Sequence, residues 1–165
     1  MVNISQKEAL KSTPLKFLNK PHVLIIESRF YNDIADMLLT GATDTLKSLG
    51  ASHEIITVPG ALEIPLALQF AAFRKNDKPF DAFIVLGTIV RGDTTHYETV
   101  CLESNRGVTN ISLQHNLPIG NCILTVENLE QAIERADPAK MNKASAAAIA
   151  ALTMLHLKQI YGVTS

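Results

Sequence analysis

Phe80-Asp81-Ala82-Phe83-Ile84-Val85 is a short apolar run entered from Pro79, and it reads as a buried strand. The stretch Leu86-Gly87-Thr88-Ile89-Val90-Arg91-Gly92-Asp93-Thr94-Thr95-His96-Tyr97 follows as a small polar loop, and Tyr97 to His115 then carries a helical pattern. Strand, loop and helix in this order form half of a βαβ unit, which confines the chain to sheets whose parallel strands are joined by helices. In such sheets ligands gather where strand carboxyl ends meet helix amino ends. Glycines let the backbone approach a ligand, and free N–H groups at a helix start favour an anion. The threonine hydroxyls add donors, and His96 carries the side-chain type suited to moving protons near neutral pH. A polar βα turn bearing a surface histidine has the same composition, so these residues taken alone leave both readings standing.

The alternation continues along the chain. His22-Val23-Leu24-Ile25-Ile26-Glu27 is apolar enough for a strand buried on both faces. A helix is expected from about Asn32 to Leu49, with Ile34, Leu38, Ala42, Leu46 and Leu49 on one face and Gly50 as its stop. Glu54 to Val58 reads as the second strand, Pro59-Gly60-Ala61 as a turn, and Leu62 to Arg74 as a helix with Pro65 in its first turn. A fourth strand is expected near Cys122 to Val126. A short helix from Asn128 to Arg135 then ends at Asp137-Pro138. The last helix, about Asn142 to Ile160, is apolar around much of its circumference. That breadth fits either burial in its own domain or a second face meeting a neighbouring subunit. The pattern predicts an α/β, three-layer flavodoxin-like domain over residues 21–165, with a four-stranded parallel sheet, helices on both faces, and an N-terminal arm over residues 1–20. Its ligand edge would collect the loops around Phe30, around Gly60-Ala61, from Thr88 to His96, and from Val126 to Asn128.

Composition narrows the function. At 165 residues the chain has room for one domain with a real core. A net charge of −1 lacks the basic footprint of a nucleic-acid binder. No apolar run is long enough to cross a bilayer, and Met1 to Lys20 lacks the apolar core of a signal peptide. Cys101 and Cys122 show neither CxxC nor metal-ligand spacing, so they read as reduced core residues of a cytoplasmic protein. Neither GxGxxG nor a Walker sequence is present, which argues against a dinucleotide or a nucleoside triphosphate.

Four pieces in order resemble the lumazine synthase family of riboflavin biosynthesis: Ser28-Arg29-Phe30, Val58 to Pro65, Leu86 to Tyr97, and Thr125 to Ala132. The resemblance runs from roughly Pro21 to Tyr161. It implies the flavodoxin-like fold and an assembly of pentamers, paired pentamers or icosahedral shells. It also implies condensation of 5-amino-6-(D-ribitylamino)uracil with 3,4-dihydroxy-2-butanone 4-phosphate, two small-molecule substrates, with no metal and no organic cofactor. By resemblance, Phe30 stacks on the pyrimidine, Ala61, Leu62 and Glu63 line the ribityl and pyrimidine pocket, and Thr88, Ile89 and Val90 give backbone contacts to the heterocycle. Gly92, Asp93 and Thr94 match the phosphate loop, with the Asp93 carboxylate expected to point away. His96 matches the general acid–base residue. Arg135 matches the phosphate-gripping guanidinium of the adjacent subunit, and Lys143 a lysine near it. Asn121 stands where many members place an aromatic against the neighbouring pyrimidine pocket, and Tyr31 stands where Asn is common. Judged without the resemblance, Phe30 is a loop aromatic tucked into the core and Arg135 a solvated helix-end cation. Two other readings compete with the enzyme: a domain that holds a lumazine or flavin without catalysis, and a shell-forming protein.

Overall fold

Why the apolar runs become interior strands is visible in the computed structural model, which describes residues 15–75 and 77–163. The elements are β1 (His22–Ser28), α1 (Asn32–Ser48), β2 (Ser52–Val58), a 3-10 turn (Ala61–Glu63), α2 (Ile64–Ala72), β3 (Ala82–Val90), α3 (His96–His115), β4 (Ile119–Val126), α4 (Leu129–Ala136) and α5 (Lys143–Ile160). The strands form one parallel sheet in the order β2-β1-β3-β4. This is the expected three-layer α/β architecture.

Alternation along each strand divides the core in two. Val23, Ile25, Ile84, Leu86, Cys122 and Leu124 face α1, α4 and α5, where they meet Leu38, Ala132, Ala148 and Leu152. Leu24, Ile26, Phe83, Val85 and Ile123 face α2 and α3, where they meet Ile64, Leu68, Val108 and Ile111. The interior strands β1 and β3 are buried almost throughout, whereas the edge strand β2 leaves Ile55 and Ile56 partly exposed.

One expectation is corrected. The strand expected to end at Val85 continues through Val90, because β4 pairs with it as far as Val90↔Val126. The loop therefore begins at Arg91. Gly87, which suggested a turn, instead relieves crowding: a Cβ there would sit 2.8 Å from the Ser28 hydroxyl. Of the two readings of α5, burial in its own domain accounts for most of its alanines: Ala144, Ala147, Ala148 and Ala151 are buried against the sheet and α1, while Ala146 is half-buried and Ala150 exposed. An exposed apolar ridge lies on α2 and the turn before it, at Leu62, Leu66, Phe70 and Phe73.

The expected N-terminal arm falls mostly on residues 1–14, outside the described residues. Its last part is described, and Leu15 and Phe17 pack against the subunit's own core. The Lys16 carbonyl meets His156 Nδ1 at 2.7 Å, and the Phe17 ring stands edge-on to that imidazole.

Candidate active site

Winding reverses between β1 and β3, and ligand crevices of such sheets open at that point. A cleft of about 400 Å³ lies there. Phe30 and Tyr31 line it after β1, and Pro59, Gly60, Ala61, Leu62 and Glu63 after β2. Thr88, Ile89 and Val90 contribute the end of β3, while Gly92, Thr94, His96, Tyr97 and Val100 contribute the approach to α3 and its first turns. The sequence-predicted Phe30, Ala61–Glu63, Thr88–Val90, Gly92, Thr94 and His96 are thus brought together. Asp93 belongs to the same loop but does not line the cleft.

Local structure explains each contribution. Phe30 is 74% exposed and touches the Tyr31 ring edge-on at 5.1 Å, so it is not a core aromatic. A flat ring held in water beside a cleft offers a stacking surface at small rotamer cost. Thr95, the N-cap of α3, makes no side-chain capping bond, and the His96 N–H meets only Thr94 Oγ1, at 3.4 Å. Uncapped first-turn amides are a seat for an anion. His96 stands exposed at the first position of α3, next to those amides. The hydroxyl of Thr88 is buried and finds no partner among the described residues.

The sequence reading gave no role to Tyr97, Val100 or Arg91. Val100 lies one helical turn beyond His96, so the spacing alone could have placed it on the same face. Arg91 pairs with Glu98, donates from Nε to Glu127 at 2.6 Å, and lies over the Tyr97 ring at 4.2 Å. Glu98 and then Glu127 hold this guanidinium charged beyond its usual range, and Arg91 in turn draws Glu98 below the ordinary carboxylate range. Burial first, and the neighbouring Cys101 second, push the Tyr97 phenol up. Arg91 does not line the cleft, and its charge is spent on bracing the loop.

Asn121, Arg135 and Lys143 do not join the first cleft. They line a second one along the edge strand β4, closed by α4 and the start of α5, and the two clefts share no lining residue. Arg135 Nη1 donates to the Gln131 carbonyl at 3.0 Å. Neither Arg135 nor Lys143 has a carboxylate partner among the described residues. Lys143 opens α5, where a cation opposes the helix dipole, so it and Arg135, from the last turn of α4, bring two unneutralised positive charges to this cleft. Asn142 holds that end by accepting from the Ser145 N–H at 3.2 Å in a left-handed conformation. Gly41 leaves room for it, since a Cβ on Gly41 would strike the Asn142 amide. The Asn121 amide is engaged within the subunit, donating to Asn105 Oδ1 at 2.8 Å and accepting from the Ile123 N–H at 2.9 Å.

The sequence matches the family described as 6,7-dimethyl-8-ribityllumazine synthase over residues 20–159. Curated proteins of that name are close relatives. The one from Sphingopyxis alaskensis is 51% identical over 142 residues, covering 86% of this chain and 98% of the relative. The one from Agrobacterium fabrum is 47% identical over 147 residues, covering 88% and 99%. A third, from Nitrobacter hamburgensis, is 49% identical over 138 residues, covering 82% and 85%. The family match spans most of the chain, and the chain belongs to the 6,7-dimethyl-8-ribityllumazine synthase family.

Proposed function

We propose that the protein condenses 5-amino-6-(D-ribitylamino)uracil with 3,4-dihydroxy-2-butanone 4-phosphate to give 6,7-dimethyl-8-ribityllumazine, phosphate and water. The observation that carries this reading is the first cleft, where an exposed aromatic, an open strand end and an uncapped helix start carrying His96 face one space. The pyrimidine stacks on Phe30 and bonds the backbone of Thr88 to Val90. Glu63 accepts hydrogen bonds from the ribityl hydroxyls. The phosphate of the second substrate sits on the amides of Gly92 to Thr94.

The chemistry then needs proton transfers more than activation. The primary amine of the uracil attacks the ketone, and water leaves as the imine forms. Loss of a carbon-bound proton expels phosphate, and the remaining enol tautomerises to a carbonyl. The ribitylamino nitrogen attacks that carbonyl, and loss of a second water closes the ring. His96 moves protons on and off nitrogen and oxygen along this path. Holding two reactive substrates in register supplies much of the rate, since well-oriented intramolecular reactions reach effective molarities of about 10⁵–10⁸ M.

Arg135 and Lys143 complete the phosphate site of a neighbouring subunit, and Asn121 lies against that subunit's pyrimidine pocket. Two facts support this division: the separate second cleft, and the unneutralised cations Arg135 and Lys143 that line it. The exposed ridge of Leu62, Leu66, Phe70 and Phe73 borders the first cleft at Leu62, so a subunit covering the ridge also reaches the site. The proposed assembly is a pentamer or a multiple of pentamers. No described helix is long and apolar enough to cross a membrane. Cys101 and Cys122 are free thiols, as suits a reducing compartment, and we place the activity in the cytoplasm.

The test is to mix the purified protein with both substrates and follow lumazine absorbance and phosphate release together. Equal rates of the two, each requiring both substrates, are expected. Binding of the lumazine product without turnover would favour the non-catalytic binder.

A further inference from the structure

We infer that Arg29 is a positioning residue: with Glu27 and Asp36 it forms a brace that holds Phe30 in the orientation the pyrimidine needs. The inference rests on the proposed role of Phe30.

It starts from a burial problem. Glu27, near the end of β1, is only 3% exposed, and a buried carboxylate is tolerated only when its charge is paired and its oxygens are bonded. Here both conditions are met. Arg29 Nη1 donates to both Glu27 oxygens at 3.2 Å, and Thr57 Oγ1, from the paired strand β2, donates to Oε1 at 3.0 Å. The other arm of the guanidinium, Nη2, donates to Asp36 on α1. Asp36 first and Glu27 second hold Arg29 charged beyond its usual range.

One planar fork therefore ties the end of a strand to the following helix. Between its two anchors run Phe30 and Tyr31, the two residues that line the first cleft from this side. Neither Glu27 nor Arg29 lines the cleft, so any effect on substrate passes through the loop. Apart from Tyr31, which packs against the core and meets the Phe30 ring, the loop has little else to fix it. Tyr31, the N-cap of α1, makes no side-chain capping bond, and the Phe30 ring is mostly in water. An exposed aromatic on an unbraced loop would sample several orientations and pay an ordering cost on every binding event. A lysine cannot hold two carboxylates with one planar group.

The experiment is a set of KM and kcat measurements for both substrates on Arg29→Met, Arg29→Lys, Phe30→Ala and the Arg29→Met/Phe30→Ala double variant. Arg29→Met should raise KM for the uracil about tenfold with kcat within about twofold, because uniform binding rather than transition-state stabilisation is lost. KM for the butanone phosphate should hold, and Arg29→Lys should recover part of the loss. On the Phe30→Ala background Arg29→Met should add nothing, since two residues acting as one unit do not add. Full multiplicative addition in the double variant, or an unchanged uracil KM in Arg29→Met, would overturn the inference. Should Arg29→Met fail to fold, Asp36→Asn decides, because it removes only the exposed arm of the brace. A rise of about threefold in uracil KM, absent from the Phe30→Ala background, supports the brace, and no rise refutes it. A wild type that makes no lumazine, or a Phe30→Ala variant with unchanged uracil KM, would fail the underlying reading instead and take this inference with it.

Discussion

Gly120→Ala should loosen the protein and its second cleft together. Gly120 lies in β4 and is buried under α5, where an added Cβ would stand 2.7 Å from the carbonyl carbon of Ala147 and closer still to its oxygen. Carbon atoms pack best at about 3.5–4.0 Å, so the two elements must separate by about 1 Å. Neither side can yield cheaply, because the obstacle is helix backbone and Gly120 is held in register with Ile84 of β3. Overpacking of a core costs about 1–3 kcal/mol, and a backbone obstacle places this site near the upper end, about 3 kcal/mol. For a chain of this size each kcal/mol moves Tm by about 2–4 °C, so a fall of about 6–12 °C is expected in a thermal scan. The same separation shifts Lys143, at the start of α5, relative to Arg135 of α4. KM for the butanone phosphate should therefore rise. A Tm within about 2 °C of wild type would refute the packing argument, since the clash would then have found a relief that rigid close packing excludes.

Gly92→Ala is the opposite case. An added Cβ there meets nothing within 4 Å, so Tm should hold while butanone phosphate KM rises, and a change in Tm without a change in KM would remove Gly92 from the phosphate seat. His96→Ala should lower kcat by about tenfold to a hundredfold, at or below the low end for general acid–base groups, with calorimetric binding of the lumazine product unchanged. Burial pushes the Cys122 thiol up to about 12, so iodoacetamide at about pH 8 should leave it unmodified until the protein unfolds, as peptide mass mapping would show. Its sign follows: with the folded value above the ordinary 9.0, this thiol favours the folded state below that pH, and the contribution is lost as pH climbs from there toward 12. A Cys122→Ala variant should then show a shallower alkaline fall in stability than wild type.

The layers of the fold were legible because both interior strands are continuous apolar runs between turn residues, a pattern that burial on both faces produces. The end of β3 was not. Leu86 to Val90 contains Gly87 and Thr88, which read locally as a loop, and only the ladder to Val90↔Val126 makes the segment a strand. Helix α5 was ambiguous in a different way. Its apolar breadth is real, but alanines admit neighbours on two sides, and Gly120 and Gly41 supply the space inside the same subunit. The first cleft could be read because its residues come from consecutive loops on one sheet edge. The separation of Asn121, Arg135 and Lys143 could not be read from spacing, since Arg135 follows the loop at Asn128 by only two helical turns. Which face of α4 it occupies is set by packing: Ala132 and Ala136 are buried while Arg135 reaches the second cleft. The brace on Phe30 was present in the sequence as charges at positions 27, 29 and 36. Glu27 closes a run that reads as a buried strand, but nothing local paired it with Arg29 or Asp36.

The central claim is that one working site needs the first cleft of one subunit and the second cleft of another. Complementation tests it most directly. His96→Ala and Arg135→Ala, each impaired alone, are unfolded together in equal amounts and refolded, with mixed oligomers confirmed by native mass. A site is whole when its His96 side comes from the Arg135 variant and its Arg135 side from the His96 variant, so random mixing around a closed ring restores about a quarter of the sites. The account predicts recovery to about that fraction of wild-type activity, well above the residual rate that either variant shows when refolded alone. A mixture as inactive as its parts would contradict it, placing both residues in one subunit's site.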